Sequence, residues 1–185
     1  MFLHLTRFFI AYLLNKLLTG KKVPSLEVNT LDGKIWKLSA QKPEKLTLII
    51  FYRGCFCPIC KSYGQEINKN IPQFEQLGVK VIYVSGDSHE KAQESQQTWQ
   101  LDKLPIGYGV SLQTMRDWGV YISEGVQENE PPTFSEPAFF LVKDDGTLYY
   151  VGLNSNPFGR PSIQEMLGGI EFLLSNDYPT RGTEI

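Results

Sequence analysis

The run from Leu46 to Cys60 constrains this chain more than any other feature. Leu46 to Tyr52 (LTLIIFY) is a continuous apolar, β-rich stretch, the pattern of a central strand covered on both faces. It passes through Arg53 and Gly54 into Cys55-Phe56-Cys57-Pro58-Ile59-Cys60 and on into a helical stretch. Cys57 stands where an N-cap belongs. Pro58 follows at the first helical position, where its missing N–H costs nothing. A thiol at that point faces unpaired backbone N–H groups and the positive end of the helix dipole. Both favour thiolate, which is the nucleophilic form. Cys60 is one turn further on, close enough to close a small disulfide ring, and Arg53 adds positive charge just upstream.

All three cysteines of the 185 residues fall between Cys55 and Cys60. Three are too few for a disulfide-stapled secreted domain, and scattered structural thiols would not cluster in this way. Two C-x-x-C cysteines can form half of a zinc site. No second such pair exists, however, and the histidines are His4 and His89, so the residues do not make up a ligand set. Inert buried thiols are the ordinary reading of lone cysteines. The strand–C-x-x-C–helix context points to redox chemistry instead. Cys55 reads as incidental. A net charge of −2 leaves no basic footprint for nucleic acid, and no nucleotide-binding motif, metal cluster or Ser/His/Asp arrangement offers another enzyme class.

The rest of the chain reads as one domain with elements in β-α-β-α order, then a β-hairpin and a last helix. Val23 to Val28 is an extended entry segment, and Ile35 to Leu38 is a short strand after a turn at Asp32-Gly33. A helix runs from Pro58 to about Asn70, with Pro72 to Leu77 as a further helical turn closed by Gly78. Val79 to Val84 is a second buried strand. Ser88 caps a polar helix reaching Trp99, and Leu112 to Asp117 forms another that ends at Gly119. After a proline-rich loop over residues 131–137, Ala138 to Val142 pairs with Leu148 to Leu153 through Asp144-Asp145-Gly146. Ser162 and Glu165 form a capping box for a helix to Leu174. The fold class is therefore α/β: a mixed central sheet with helices on both faces.

Residues 1–22 form a separate extension to the domain of residues 23–185. Phe2, Phe9, Leu13 and Leu17 share one helical face, with Arg7, Asn15 and Lys16 mostly opposite, which describes an amphipathic helix. Its apolar run is too short to span a bilayer, and no A-x-A cleavage site follows. A helix docked on the domain or on a partner subunit is the expectation. A membrane-surface helix is the alternative. A start codon misplaced upstream of a domain beginning near Val23 is a third reading.

Two longer patterns carry a family resemblance. Strand–CPIC–helix followed by EPAFFLVKDDGTLYYVG resembles the thioredoxin superfamily, in which a cis-proline loop packs against the C-x-x-C motif. Pro137 matches that proline, so the resemblance implies a cis Glu136–Pro137 bond with the ring beside Cys57 and Cys60. An exposed Glu136 there would oppose Arg53 slightly. LGVKVIYVSGDSHEKAQ resembles the alkyl hydroperoxide reductase C / thiol-specific antioxidant (peroxiredoxin) family. FYRGCFCPICK, LPIGYGVSLQTMRDWGVYIS and FSEPAFFLVKDDGTLYY resemble a bacterial peroxiredoxin-like subgroup with a Y-R-G-x-x-C-P-x-C signature.

The chain departs from the peroxiredoxin signature P-x-x-x-T-x-x-C. Arg53 stands at the proline, Cys57 at the threonine and Cys60 at the peroxide-attacking cysteine, and the family's second arginine is replaced near Glu136. The family implies a thiol-dependent antioxidant peroxidase with no cofactor, a peroxide substrate and a thioredoxin- or glutathione-type reductant. It also implies self-association and a cytoplasmic location, with membrane association through the N-terminal helix as the alternative. Cys57, Cys60, Arg53 and Pro137 are the implied site residues. Helix geometry points to Cys57 as the attacking sulfur and signature spacing to Cys60, so both stay open. A thioredoxin-like disulfide reductase and a non-catalytic thioredoxin-fold module are the alternatives.

Overall fold

The computed structural model of the protein describes residues 17–184, so most of the amphipathic helix expected over residues 1–22 lies outside the described residues. Among the described residues, a seven-stranded sheet runs in the order β2-β1-β5-β4-β3-β8-β9. Its strands are β1 (Glu27–Thr30), β2 (Ile35–Lys37), β3 (Leu46–Phe51), β4 (Val79–Val84), β5 (Ile106–Tyr108), β8 (Ala138–Lys143) and β9 (Leu148–Leu153). The two long apolar runs, β3 and β4, lie side by side and parallel, from Leu46↔Val79 to Phe51↔Val84. The hairpin joins antiparallel to the other side of β3, with Phe51 opposite Ala138. β6 (Ile122–Glu124) and β7 (Thr133–Ser135) form a small separate ribbon.

Alternation along β3 and β4 explains why both faces are covered. Leu48, Ile50, Tyr52 and Tyr83 pack beneath α1 (Pro58–Gln76) and α4 (Ile163–Ser175). Ile49, Phe51, Ile82 and Val84 face the other way, onto Trp118, Phe140 and Met115 of α3 (Leu112–Asp117). Phe51, Trp118 and Phe140 meet at tilted and edge-on angles with centroids 4.9–5.8 Å apart, the favoured aromatic arrangement. Such a two-faced core needs near-continuous apolar strands, and β3 is buried at every position.

The serine caps are present. Ser88 and Ser162 each accept the backbone N–H three residues on, at the starts of α2 (His89–Thr98) and α4, and Ser111, which the sequence reading did not single out, does the same for α3. One boundary differs. Pro72 was expected to open a separate turn, but α1 runs unbroken through it to Gln76, and its buried face (Ile67, Ile71, Phe74) carries the helix across. Tertiary packing outweighs the local cost of the proline here. The extension also joins the domain before Val23: Gly20 donates to Leu148 O and Leu148 to Lys21 O, at 2.7 and 2.8 Å. No helix among the described residues is long and apolar enough to cross a membrane.

Candidate active site

The site forms where β3 ends and α1 begins. Tyr52 still pairs with the sheet, donating to Val84 O at 3.0 Å, and the chain then turns through Arg53–Phe56. Gly54 has φ +147°, and a Cβ there would sit 2.8 Å from Asp87 Oδ1 and 3.0 Å from Phe56. Only glycine fits that close approach and that backbone angle. Cys57 then caps the helix as its sequence position predicts. Its backbone is extended, Pro58 is the first helical residue, and its Sγ accepts the Cys60 N–H at 3.2 Å.

The two motif sulfurs differ in character. The hydrogen bond from the Cys60 thiol lowers Cys57 most, against the opposing effect of burial. The Cys60 N–H, Arg160 and Arg53 reinforce the lowering, and the thiol settles at about 6. Burial above all, and then the same thiol–thiol hydrogen bond seen from its donor, hold Cys60 well above the ordinary thiol range. Both sulfurs are covered, Cys57 being 1 % and Cys60 0 % exposed. Both are free thiols. The pair is thus a thiolate with a proton-bearing neighbour one turn along the helix. Cys55 has a different environment: its N–H is held by Asp87 Oδ2 at 2.9 Å, and burial pushes its thiol up.

Arg53 sits beside the motif, as expected, but in a wholly structured setting. Its guanidinium lies over the rings of Phe56 and Phe134, 5.2 and 4.7 Å from their centroids. Nη2 is 3.4 Å from Glu130 Oε1, and Nε is 3.3 Å from Glu136 Oε2. Glu136 is buried, so the case of an exposed carboxylate opposing Arg53 does not arise. It is 3 % exposed, accepts the Ser123 hydroxyl at 2.7 Å, and turns its carboxylate in toward Arg53 because that guanidinium is its charge partner.

Pro137 is buried, and the register puts it one residue beyond the Phe51↔Ala138 pair, at the same end of the sheet as Tyr52 and the motif loop. Ser135 Oγ ties that stretch down by donating to Tyr52 O at 3.1 Å. The expected cis bond is absent. No peptide bond among the described residues is cis, and Glu136–Pro137 is trans. The physical reason is the continuity of the segment. Glu136 N–H donates to Tyr121 O in line with β7, and Pro137 O accepts from Asn154 in line with β8, so the chain runs from one strand into the next without reversing.

Sequence reasoning missed Arg160. Its Nη2 donates to Cys60 Sγ at 3.1 Å, from the loop between β9 and α4. The arginine that the family carries before the third strand is replaced near Glu136, and here a guanidinium reaches the thiols from a different element. Arg160 Nε donates to Pro157 O at 2.9 Å, its guanidinium lies 5.2 Å from the Tyr63 ring centroid, and Tyr63 OH donates to Pro161 O at 2.8 Å. The sequence offers only a lone arginine between Gly159 and Pro161, next to the N-cap Ser162. The packing of α4 on α1 is what carries it to the motif.

The sequence model of the AhpC/TSA family matches residues 19–151. Arg160 lies beyond that stretch. Peroxiredoxin 2 of Sulfurisphaera tokodaii is 27% identical over 157 residues, covering 84% of this chain and 72% of its own. A selenocysteine-containing peroxiredoxin of Peptoclostridium acidaminophilum is 28% identical over 181 residues, covering 90% of this chain and 81% of its own. Among solved structures, a peroxiredoxin-like protein from Aquifex aeolicus superposes with a TM-score of 0.69 at 21% identity, over 84% of this chain and 86% of that one. The fold is the same, a mixed sheet with helices on both faces, in a structure of low sequence identity.

Proposed function

The chain belongs to the AhpC/TSA family, and from that premise we propose that it is a thiol-dependent peroxidase in which Cys57 attacks and Cys60 resolves. The observation that carries the assignment of roles is the Cys57 sulfur at the helix N-cap. It accepts the Cys60 N–H, and the neighbouring Cys60 thiol lowers it further, which favours the thiolate on Cys57. Helix geometry and signature spacing pointed to different sulfurs, and the electrostatics of the folded site favour Cys57.

The Cys57 thiolate attacks one peroxide oxygen, the O–O bond breaks, and the other oxygen leaves as alcohol or water after taking a proton. Cys57 is then a sulfenic acid. The sulfur of Cys60 displaces its hydroxyl as water, leaving a Cys57–Cys60 disulfide. A dithiol donor of the thioredoxin or glutathione type restores both thiols by exchange and is itself oxidised. The close cover over both sulfurs suits a small oxidant. Arg53 and its carboxylate partners fix the motif loop, and Pro137 closes the sheet end beside it. Self-association and a reducing, cytoplasmic setting belong to the same reading, since three clustered cysteines are too few to staple a secreted domain.

The pH dependence of the first step tests this assignment. A thiol lowered to about 6 is thiolate above that pH and protonated below it. The second-order rate of peroxide reduction should therefore rise through pH about 6 and level off above it. A rate that keeps climbing through pH ~8.5, the ordinary thiol value, would assign the attack to an unactivated cysteine. Disulfide substrates reduced with no peroxide consumed would leave the disulfide reductase.

A further inference from the structure

Cys60 has a difficult task in the closing step. Its sulfur must carry negative charge while wholly buried, and burial opposes that charge. Something has to stabilise it at the moment it bonds to Cys57. Among the described residues, one cationic group reaches its Sγ, and that group lies beyond residues 19–151, which the family model matches.

We propose that Arg160 is a catalytic residue for disulfide closure, acting by direct contact on the resolving sulfur of Cys60 and only at longer range on the attacking sulfur of Cys57. The inference rests on the roles of Cys57 and Cys60 given above. The guanidinium donates through Nη2 to Cys60 Sγ at 3.1 Å, whereas the N–H that Cys57 accepts is the backbone N–H of Cys60. Arg160 is also preorganised. Nε is spent on Pro157 O, the planar group lies over Tyr63, and the next residue is pinned by the Tyr63 hydroxyl. An arginine held on three sides loses little freedom when it binds a thiolate. Burial of the guanidinium opposes its charge, while the Cys60 sulfur favours it, as expected of two groups that stabilise each other.

In the closing step Cys60 gives up its proton, its sulfur lone pair bonds to the Cys57 sulfur, and the bond from that sulfur to its leaving group breaks. With the sulfenic acid the leaving group is hydroxide, which takes the proton and departs as water. Arg160 offsets the charge on Cys60 before the new bond forms. Once the disulfide exists, neither sulfur is charged and the guanidinium has lost its anionic partner. A charge-assisted hydrogen bond of this kind accounts for a rate effect of roughly tenfold or more.

The test separates loading of Cys57 from closure by Cys60, in a Cys55→Ser background of the full chain. One equivalent of hydrogen peroxide loads Cys57 as sulfenic acid. One equivalent of methyl methanethiosulfonate loads it as an S-methyl disulfide without any peroxide, and closure then expels methanethiol. Samples quenched over time are read by mass spectrometry. With Arg160→Gln, closure should slow roughly tenfold or more after either reagent, while loading changes much less. Arg160→Lys, which keeps the charge but not the fork, should close at an intermediate rate, and this excludes a merely unfolded loop. If Arg160→Gln closes as fast as its parent, or slows loading as much as closure, the proposal is wrong. Slow closure after the methyl reagent in a protein indifferent to peroxide would uphold the role of Arg160 and reject the peroxidase reading alone.

Discussion

Cys57→Ser should remove peroxide reactivity, by a factor on the order of a thousand, while Cys60→Ser should keep the first step and lose the second. The difference follows from the geometry. Cys57 carries the lowered thiol, whereas Cys60 sits behind it, fully buried and held protonated. Serine at position 60 leaves the backbone N–H that Cys57 Sγ accepts, and its hydroxyl can still donate in place of the thiol. The attacking thiolate is therefore retained. What the variant lacks is a sulfur to trap the sulfenic acid, so repeated peroxide carries Cys57 on to sulfinic acid. Cys55→Ser should match the parent protein. Rapid-quench kinetics on the three variants reads this pattern, and an active Cys57→Ser beside an inert Cys60→Ser would exchange the two roles.

Arg53→Met should cost about 3 kcal/mol of stability, because it leaves a buried carboxylate without its charge partner. Arg53 is 17% exposed at its side chain and Glu136 4%, so the pair is shielded from solvent rather than a surface contact. The rings of Phe56 and Phe134, which meet edge-on, would also lose the guanidinium that lies against both. Adding Glu136→Gln to Arg53→Met removes the stranded charge and should recover a good part of the loss. Urea unfolding of the two variants decides this. A loss below about 1 kcal/mol would mean that the pair behaves like an exposed one.

Much of the fold is legible in the sequence, for local reasons. LTLIIFY and VKVIYV can only be covered strands, and the serine caps and Gly78 mark the helix ends chemically. The redox motif is legible for the same reason, because Cys57 and Pro58 satisfy an N-terminus by themselves. The rest depends on long-range contacts. β5, β6 and β7 are three residues each and too short to carry a period. α1 passes Pro72 because of what it packs on. The trans Glu136–Pro137 bond and the buried Glu136 depend on Arg53, Ser123 and Tyr121, far off in sequence. Arg160 is the clearest case. Nothing within the loop marks it, and it reaches Cys60 across a hundred residues of chain only because α4 lies against α1.

The role given to the CPIC pair is tested most directly by the site-resolved mass of the unaltered chain after one equivalent of hydrogen peroxide. The account predicts the loss of two hydrogens, a disulfide between Cys57 and Cys60 within one peptide, and Cys55 recovered as a free thiol. A disulfide that includes Cys55, or three thiols intact while peroxide remains, would contradict it.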